Sequence, residues 1–297
     1  DEATTEKEIV MLTSVRGLFA ASLATGLALS AAPALASTAE DPAGFDLAAV
    51  AAASDVTVDV AALEAATPEI SEDASQIGAE SAITLSANVA LTSDYRFRGV
   101  SLSSGDPAIQ GGFDAAHSSG FYAGVWASSI SGGPLYGDME LDIYAGWSGN
   151  LSEAVTFDIG ALYYLYPTED IGADTDYYEL LASLGFTLGP VETTLGVGYS
   201  PEQDSLGDAD NLYLYTDFGI GIGETPFSLN AHIGYTDGAL APPLLAGTGD
   251  DSGIDWSVGA SYAAGQFEIG VAYIGVEGPS IEEFTDDAVV ATISASF

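Results

Sequence analysis

Acidic side chains recur at every second position in several segments of the chain. Asp138, Glu140 and Asp142 alternate with other residues, so an extended backbone places all three carboxylates on one face. At roughly 3.3 Å per residue, neighbouring carboxylates in this row stand about 6.5–7 Å apart. Such a row attracts cations and repels anions. A solvated wall with no transport role would have the same composition, so both interpretations stay open.

Two arginines lie close together in a chain that is otherwise almost free of basic residues. Arg96 and Arg98 share the parity of Asp94 in an alternating segment, so we expect all three side chains to point the same way. Guanidinium groups among carboxylates form charge-assisted hydrogen bonds. The arginines are therefore predicted to neutralise an acidic wall and fix its register, to narrow a passage or position anionic groups, or to do both.

The composition restricts the class of protein. The 297 residues include 44 Asp and Glu against four Lys and Arg, a formal net charge of −40. Nucleic acid is excluded as a partner because phosphate binding needs clusters of basic residues. With no cysteine, disulfides, cysteine zinc sites and thiol catalysis are excluded. The hydrophobic fraction of 47% argues against a wholly disordered chain.

Residues 11–36 have the features of a secretory signal peptide. Met11 and Arg16 precede an apolar run from Leu18 to Ala32, and a small-residue cleavage site ends at Ala36. The run has about 15 residues, whereas a membrane-spanning helix needs roughly 20. We therefore predict an exported protein rather than a helical membrane protein.

Three regions follow from these features. Residues 1–36 are interpreted as an upstream extension plus the signal peptide. Residues 37–81 are acidic and nearly free of aromatic side chains, a composition that predicts a flexible linker. Residues 82–297 have a different pattern and are predicted to form the folded domain.

Apolar and polar residues alternate with a period of two from Ile83 onward, which predicts β-strands. The first alternating run reaches Arg98, far longer than the five or six residues of a typical soluble strand. The pattern recurs to give about twelve strands, joined alternately by short turns and long loops. An even count with this alternation is typical of a closed antiparallel transmembrane β-barrel of the bacterial outer membrane.

The charged residues separate cleanly by face, since no Asp or Glu falls on the predicted apolar faces. We assign the apolar faces to lipid and the polar faces to the lumen. The predicted pore-lining residues are Asp94, Arg96, Arg98, Asp114, Asp138, Glu140, Asp142, Asp158, Glu179, Glu192, Asp217, His232, Asp255 and Glu268.

Aromatic residues on the apolar faces, near strand ends, are candidates for the girdles at the membrane interfaces. These are Tyr95, Trp147, Tyr163, Tyr235, Trp256, Tyr262 and Tyr273. The last residue, Phe297, is also aromatic and is predicted to carry the signal that barrel assembly machinery reads in the C-terminal strand.

The segment ALTSDYRFRGVS, residues 90–101, is followed by GDPAIQGGFD, residues 105–114. Together they resemble the opening of the TorF-type porins, the Gcw_chp family, in which S-D-Y-x-x-R-G-x-S opens the barrel and D-P-A-x-Q-G begins the second strand. The resemblance implies a small outer-membrane barrel with a pore and supplies no substrate. The acidic linker and the scarcity of lysine depart from the usual family pattern.

Candidate chemistry outside the lumen is sparse. His117 and Ser119 have an H-x-S spacing similar to that of the outer-membrane phospholipase, but they adjoin a short turn instead of the outer rim. His232 lies near Asn230 and is interpreted as a polar lumen group. We predict no catalytic residue, no resident metal and no cofactor. Acidic loop clusters, such as the one from Glu202 to Asp210, are solvated surface or bridge Ca²⁺ or Mg²⁺.

The expected function is passive diffusion of small solutes through a carboxylate-lined pore that prefers cations or neutral molecules. The expected partners are outer-membrane lipid, the barrel assembly machinery and the solutes themselves. Tyrosines on the inner parity could instead fill a barrel of this size. The alternatives are thus a non-conducting structural or surface-interaction barrel and, second, a lipid hydrolase. The inner-parity tyrosines are Tyr144, Tyr164, Tyr166, Tyr177, Tyr213 and Tyr215.

Overall fold

The computed structural model describes residues 82–297, so the predicted signal peptide and acidic linker lie outside the described residues. Twelve strands form a closed antiparallel barrel, and a further two form a small separate hairpin. In chain order the strands are β1 (Ile83–Thr92), β2 (Arg96–Phe97), β3 (Val100–Ser101), β4 (Ala108–His117), β5 (Phe121–Ser129), β6 (Met139–Ser152), β7 (Val155–Leu165), β8 (Tyr177–Leu188), β9 (Val191–Gln203), β10 (Ala209–Gly221), β11 (Phe227–Gly238), β12 (Ser252–Ala264), β13 (Phe267–Val276) and β14 (Ala288–Ser296).

Helical structure is confined to the loops in the part of the chain described. The short helices are α1 (Gly133–Tyr136) and α2 (Pro242–Leu245), and a 3₁₀ turn spans Asp204–Leu206. Between residues 82 and 297, no helix has the length and apolar character needed to cross a membrane.

The barrel closes through its first and last strands. β1 pairs with β4 on one side and with β14 on the other, and Leu91 faces Ile293 across the closing pair. The backbone of Phe297 extends this seam, donating to the Ala87 carbonyl at 2.9 Å and accepting from the Ala87 amide at 3.1 Å. Closure gives every barrel strand two neighbours, which is how strands satisfy their backbone groups in lipid.

The outer surface is apolar, and the inner surface carries the polar groups. In β6, Ile143 is exposed on the outside whereas its neighbours Asp142 and Tyr144 are buried inside. Leu85 and Phe113 have 75% and 68% of their surface exposed on the outer face. A water-exposed sheet would not present such a surface, whereas a barrel in lipid requires it. The predicted twelve-stranded membrane barrel is confirmed.

The connections define two ends of the barrel. Turns of two to five residues, such as those at 153–154 and 222–226, lie at one end, here called the short-turn end. The loops at 93–107, 239–251 and 277–287 lie at the other end, here called the long-loop end. In bacterial outer-membrane barrels the longer loops face the outside of the cell.

The first strand is shorter than the sequence predicted. β1 ends at Thr92, and every residue from 94 to 103 is buried. These residues form a hairpin, here called the plug hairpin, that folds into the barrel. Tyr95 was predicted to lie at the lipid interface; this is wrong, because its ring packs on Trp126 and its hydroxyl donates to Glu140 Oε1 at 3.1 Å.

Glycines on the inner wall make room for the interior tyrosines. Tyr215 faces Gly196 across the β9–β10 pair, and its ring fills the space where a Cβ of residue 196 would stand. Tyr144 covers Gly124 on the neighbouring strand in the same way. Large rings can therefore lie flat against the wall because the residue opposite has no side chain.

The assignment of faces predicts different outcomes for arginine on the two sides of one strand. Ile233 faces outward near the middle of β11, and Asn230 faces inward on the same strand. We expect Ile233→Arg to lower the free energy of unfolding in lipid by about 2–4 kcal/mol, the cost of a basic residue at the bilayer midplane. Asn230→Arg is the matched control and should cost much less. Urea unfolding in liposomes measures both, and equal losses would contradict the assignment.

Candidate pore and its plug

The lumen is divided into a filled half and an open half. At the long-loop end, Phe97 and Leu102 of the plug hairpin pack with Leu240, Leu245 and Leu206 of the loops in one buried cluster. At the short-turn end the inner wall is solvent-exposed, as the inward-facing residues Asn230 and Glu268 show.

The tip of the plug hairpin is a two-residue turn. Phe97 pairs with Val100, and between them Arg98 and Gly99 have φ values of 43° and 79°. Tight hairpin turns favour positive φ, which glycine adopts freely and arginine does not. A side chain at position 99 would also collide with Val276. The left-handed conformation of Arg98 costs about 1–2 kcal/mol, so its contacts must offset that cost.

Arg98 lies in a pocket of carboxylate and aromatic groups. Its Nη2 donates to Glu179 Oε1 at 2.7 Å, and both side chains are almost completely buried. The guanidinium carbon lies 3.8 Å from the ring centroid of Tyr213. Tyr164 donates from its hydroxyl to Glu179 Oε2 at 3.4 Å. An ion pair and a cation–π contact therefore hold the tip of the plug hairpin, and the Tyr164 phenol supports the carboxylate of that pair.

Arg96 fastens the base of the plug hairpin to a loop. Its guanidinium pairs with Asp94 and, at 3.1 Å, with Asp286 Oδ1 in the loop after β13. It also donates to the backbone carbonyls of Gly99 and Asp286. The Ser101 hydroxyl donates to Asp94 Oδ1 at 2.6 Å. The two arginines therefore have different structural roles: Arg98 anchors the tip of the plug hairpin and Arg96 anchors its base.

Two acids of the predicted row lie deep inside the wall. Glu140 and Asp142 are completely buried, whereas Asp138 is exposed just before β6 begins. Glu140 Oε1 accepts from Tyr95, but Glu140 Oε2 and both oxygens of Asp142 have no hydrogen-bond partner. Buried carboxylate oxygens of this kind are costly without a cation or donor. Glu140 and Asp142 therefore place two carboxyl groups close together with few hydrogen-bond donors to stabilise them.

A second polar cluster surrounds His232 on the inner wall of β11. Its Nδ1 lies 2.6 Å from Asp217 Oδ1 and its Nε2 lies 3.0 Å from Asp255 Oδ1. The Tyr213 hydroxyl lies 2.8 Å from His232 Nε2. The cluster links the arginine pocket to the open half of the lumen, because Tyr213 contacts both Arg98 and His232.

The remaining predicted pore residues lie toward the short-turn end. Asp114 and Asp158 are half-buried and accept hydrogen bonds from Tyr144 and Tyr122. Glu192, like Glu268, is exposed to solvent although its parity is inward. These groups surround an open, acidic vestibule.

Among the aromatics predicted at the interfaces, all except Tyr95 lie on the outer face. Trp147 and Trp256 are half-buried, and Trp147 donates from Nε1 to the Ser119 carbonyl at 2.9 Å. The four predicted tyrosines on this face each have at least 40% of their surface exposed: Tyr163, Tyr235, Tyr262 and Tyr273. Phe297 is also exposed on the outside, and its recognition by assembly machinery stays a prediction.

Sequence reasoning missed the apolar part of the plug. Phe97 continues the apolar parity of β1, and Leu102, Leu240 and Leu245 lie in long connections between strands, yet all four belong to one buried cluster. The one local signal was Gly99, an interruption in an alternating run that is typical of a turn or a bulge.

Two further sets of residues considered from the sequence are the acidic loop clusters and the His117–Ser119 pair. Among residues 82–297, no three His, Asp or Glu side chains are grouped so that they could hold a metal ion. Divalent-cation binding by the acidic loops stays a prediction. His117 Nδ1 lies 2.7 Å from Ser119 Oγ, exposed on the turn after β4 at the short-turn end.

The fold and the acidic lumen define an outer-membrane β-barrel protein. The sequence model of a family described as "Bacterial protein of unknown function (Gcw_chp)" matches residues 76–297, and the chain belongs to that family. The family description assigns no activity, and the TorF-type name stays a prediction. A bacterial protein that is a closed barrel with a lipid-facing exterior lies in the outer membrane. Comparison with curated protein sequences gives no match.

Several solved barrels are similar in architecture. The NanC porin has 9% identity and a TM-score of 0.49, with 72% of this chain and 99% of that chain covered. The KdgM porin has 9% identity and a TM-score of 0.47, over 71% and 99% of the two chains. An outer membrane channel from Pseudomonas putida F1 has 12% identity and a TM-score of 0.42, over 73% and 96%. At these low values the similarity carries no information about the function of this chain.

Trypsin provides a direct test of the plug, because Arg96 and Arg98 are the only Lys or Arg residues after position 16. We expect the folded barrel to resist cleavage while the plug hairpin stays inside. Leu102→Ala removes a fully buried side chain and should cost about 2–5 kcal/mol of plug docking. Cleavage should then accelerate by at least about tenfold, since 1.4 kcal/mol is a factor of ten.

Leu85→Ala on the lipid face is the matched control, and it should leave the cleavage rate near that of the parent chain. Rates are read from gel bands and normalised to the urea-unfolded protein. Rapid cleavage of the parent chain at either arginine would contradict burial of the plug hairpin.

Proposed function

We propose that this protein is a porin-like outer-membrane channel for the passive diffusion of small solutes, with a preference for cations or neutral molecules. In the described conformation the plug hairpin closes its long-loop half. The main support for this proposal is the excess of carboxylates inside a closed barrel. Only two Lys or Arg side chains, Arg96 and Arg98, oppose that excess among the described residues.

The interior charges do not balance. Arg96 is engaged by Asp94 and Asp286, and Arg98 by Glu179. Eleven acids were predicted to line the lumen, and the two arginines pair with only two of them, Asp94 and Glu179. A low-dielectric cavity with net negative charge raises the local concentration of cations and repels anions. Selectivity for cations follows if the plug hairpin leaves the lumen.

A second candidate function is supported by the plug itself. The plug hairpin and its apolar cluster fill the long-loop half of the barrel. If the plug never leaves, the protein is a structural or surface-interaction barrel without conductance. The two candidates differ in whether removal of the plug exposes a continuous path.

The plug can be deleted without breaking the barrel, because Thr92 and Ala108 are direct register partners on neighbouring strands. We expect the parent chain to show rare, small current steps in a planar bilayer. A variant in which residues 93–107 are replaced by a short Gly/Ser turn should show frequent, larger steps. Across a tenfold KCl gradient its reversal potential should indicate cation selectivity.

Charge variants of the shortened chain distinguish the effect of pore charge on the current from the effect of pore size. Glu192→Gln with Glu268→Gln should reduce cation selectivity and leave the step size nearly unchanged, since both side chains are exposed in the vestibule. Silence of the shortened variant, shown to be folded by heat-dependent gel mobility, would refute the channel and favour the structural barrel.

A further inference from the structure

The pocket around Arg98 has the composition of a cation-binding site. It offers the carboxylate of Glu179 at 2.7 Å and the ring face of Tyr213 at 3.8 Å. A carboxylate and an aromatic face together recognise organic cations. Arg98 uses this pocket incompletely, because its buried Nε and Nη1 have no hydrogen-bond partner. A solute cation that is free of the hairpin backbone could adopt a better position there.

The pocket cannot be left empty at low cost. Glu179 is completely buried, and Tyr164, which donates to it, is the register partner of Asp142. Both oxygens of Asp142 are buried and have no hydrogen-bond partner. Removing one partner of a buried ion pair is strongly destabilising, because it leaves an uncompensated charge. Withdrawal of Arg98 is therefore costly unless another cation takes its place.

The hairpin itself favours release. Arg98 is held at a φ of 43°, a conformation that a residue with a side chain avoids. Once another cation occupies the pocket, the turn can relax outside the barrel. The closed state is thus stabilised by the ion pair and the apolar cluster, and destabilised by its own backbone conformation.

We propose that Glu179, Tyr213 and Tyr164, here called the cation cage, form a binding site for small solutes that carry a guanidinium or primary ammonium group. Such a solute competes with Arg98 and releases the plug hairpin. The inference rests on the proposed channel function, since it makes the closing element responsive to the class of solute that the lumen attracts. A planar guanidinium should be the best competitor, because it presents the same fork of donors as Arg98.

The test uses the absence of native cysteine. Val100 is buried in β3 of the plug hairpin, so Val100→Cys gives the full-length chain a single thiol that becomes accessible only when the hairpin withdraws. We expect methylguanidinium to accelerate its reaction with a water-soluble maleimide saturably. The labelling rate should increase by at least about tenfold, because it follows the fraction of open protein and we expect the ligand to shift the closed–open equilibrium by at least that factor.

N-methylurea is the matched control, because it has the same planar shape without the charge. An equal concentration of NaCl controls for ionic strength. No acceleration, or equal acceleration by N-methylurea or NaCl, would overturn the proposal.

Variants of the cation cage test whether methylguanidinium acts by binding at Tyr213. Tyr213→Phe keeps the aromatic face and should keep the saturable response, whereas Tyr213→Leu should weaken the apparent affinity for methylguanidinium by about tenfold or more. An unchanged affinity in Tyr213→Leu would overturn the assignment of the cage. Heat-dependent gel mobility verifies that each variant is folded.

Labelling requires no ion flow, so the two proposals can fail separately. Methylguanidinium-dependent labelling with silent bilayers would keep the cation cage and refute the channel. Cation-selective currents from the shortened variant, with labelling that ignores methylguanidinium, would keep the channel and overturn the cage.

Discussion

Charge compensation inside a closed wall is the constraint on which the rest of this structure depends. A barrel in lipid has no edges, so the charges on its inner face must be solvated by water or neutralised by other side chains. Arg96 and Arg98 are the only Lys or Arg residues among those described, and both belong to the plug hairpin. The hairpin therefore supplies the positive charge for the long-loop half of the lumen as well as its apolar filling.

The two halves of the lumen follow from this arrangement. Where the plug hairpin reaches, Glu179 and Asp94 are paired and the apolar side chains of the loops can pack. Beyond its tip, Glu192 and Glu268 face water instead. His232, between Asp217 and Asp255, lies in the transition between these halves. An acidic vestibule therefore lies behind a plug hairpin that Arg98 anchors, and the proposed channel rests on this arrangement.

The barrel could be predicted from the sequence because lipid makes strict demands on periodicity. One face of every strand must be apolar, and the parity predicted for Ile143, Leu180 and Ile233 agrees with their exposure on the outside. The same parity predicts that a set of tyrosines faces the lumen. Tyr164, Tyr166 and Tyr177 are buried there, as expected if they fill part of the lumen.

The plug could not be predicted in the same way. Alternation in a strand does not distinguish a side chain that faces lipid from one that faces the core of a hairpin inside the lumen. Tyr95 and Phe97 continue the period of β1, yet both are buried because the chain turns inward after Thr92. The contact of Arg98 with Glu179 joins residues 81 positions apart, and no local pattern encodes it.

A double-mutant cycle between Arg98 and Glu179 tests directly whether their ion pair holds the plug hairpin in the lumen. The labelling rate of the Val100→Cys chain is measured in four backgrounds: parent, Arg98→Gln, Glu179→Gln and both together. If the ion pair holds the plug, each single change accelerates labelling, and the double change accelerates it by less than the product of the two. The coupling should exceed about 1 kcal/mol, within the range expected for residues in direct contact. Multiplicative effects, with no coupling between the two positions, would show that this ion pair does not hold the plug hairpin.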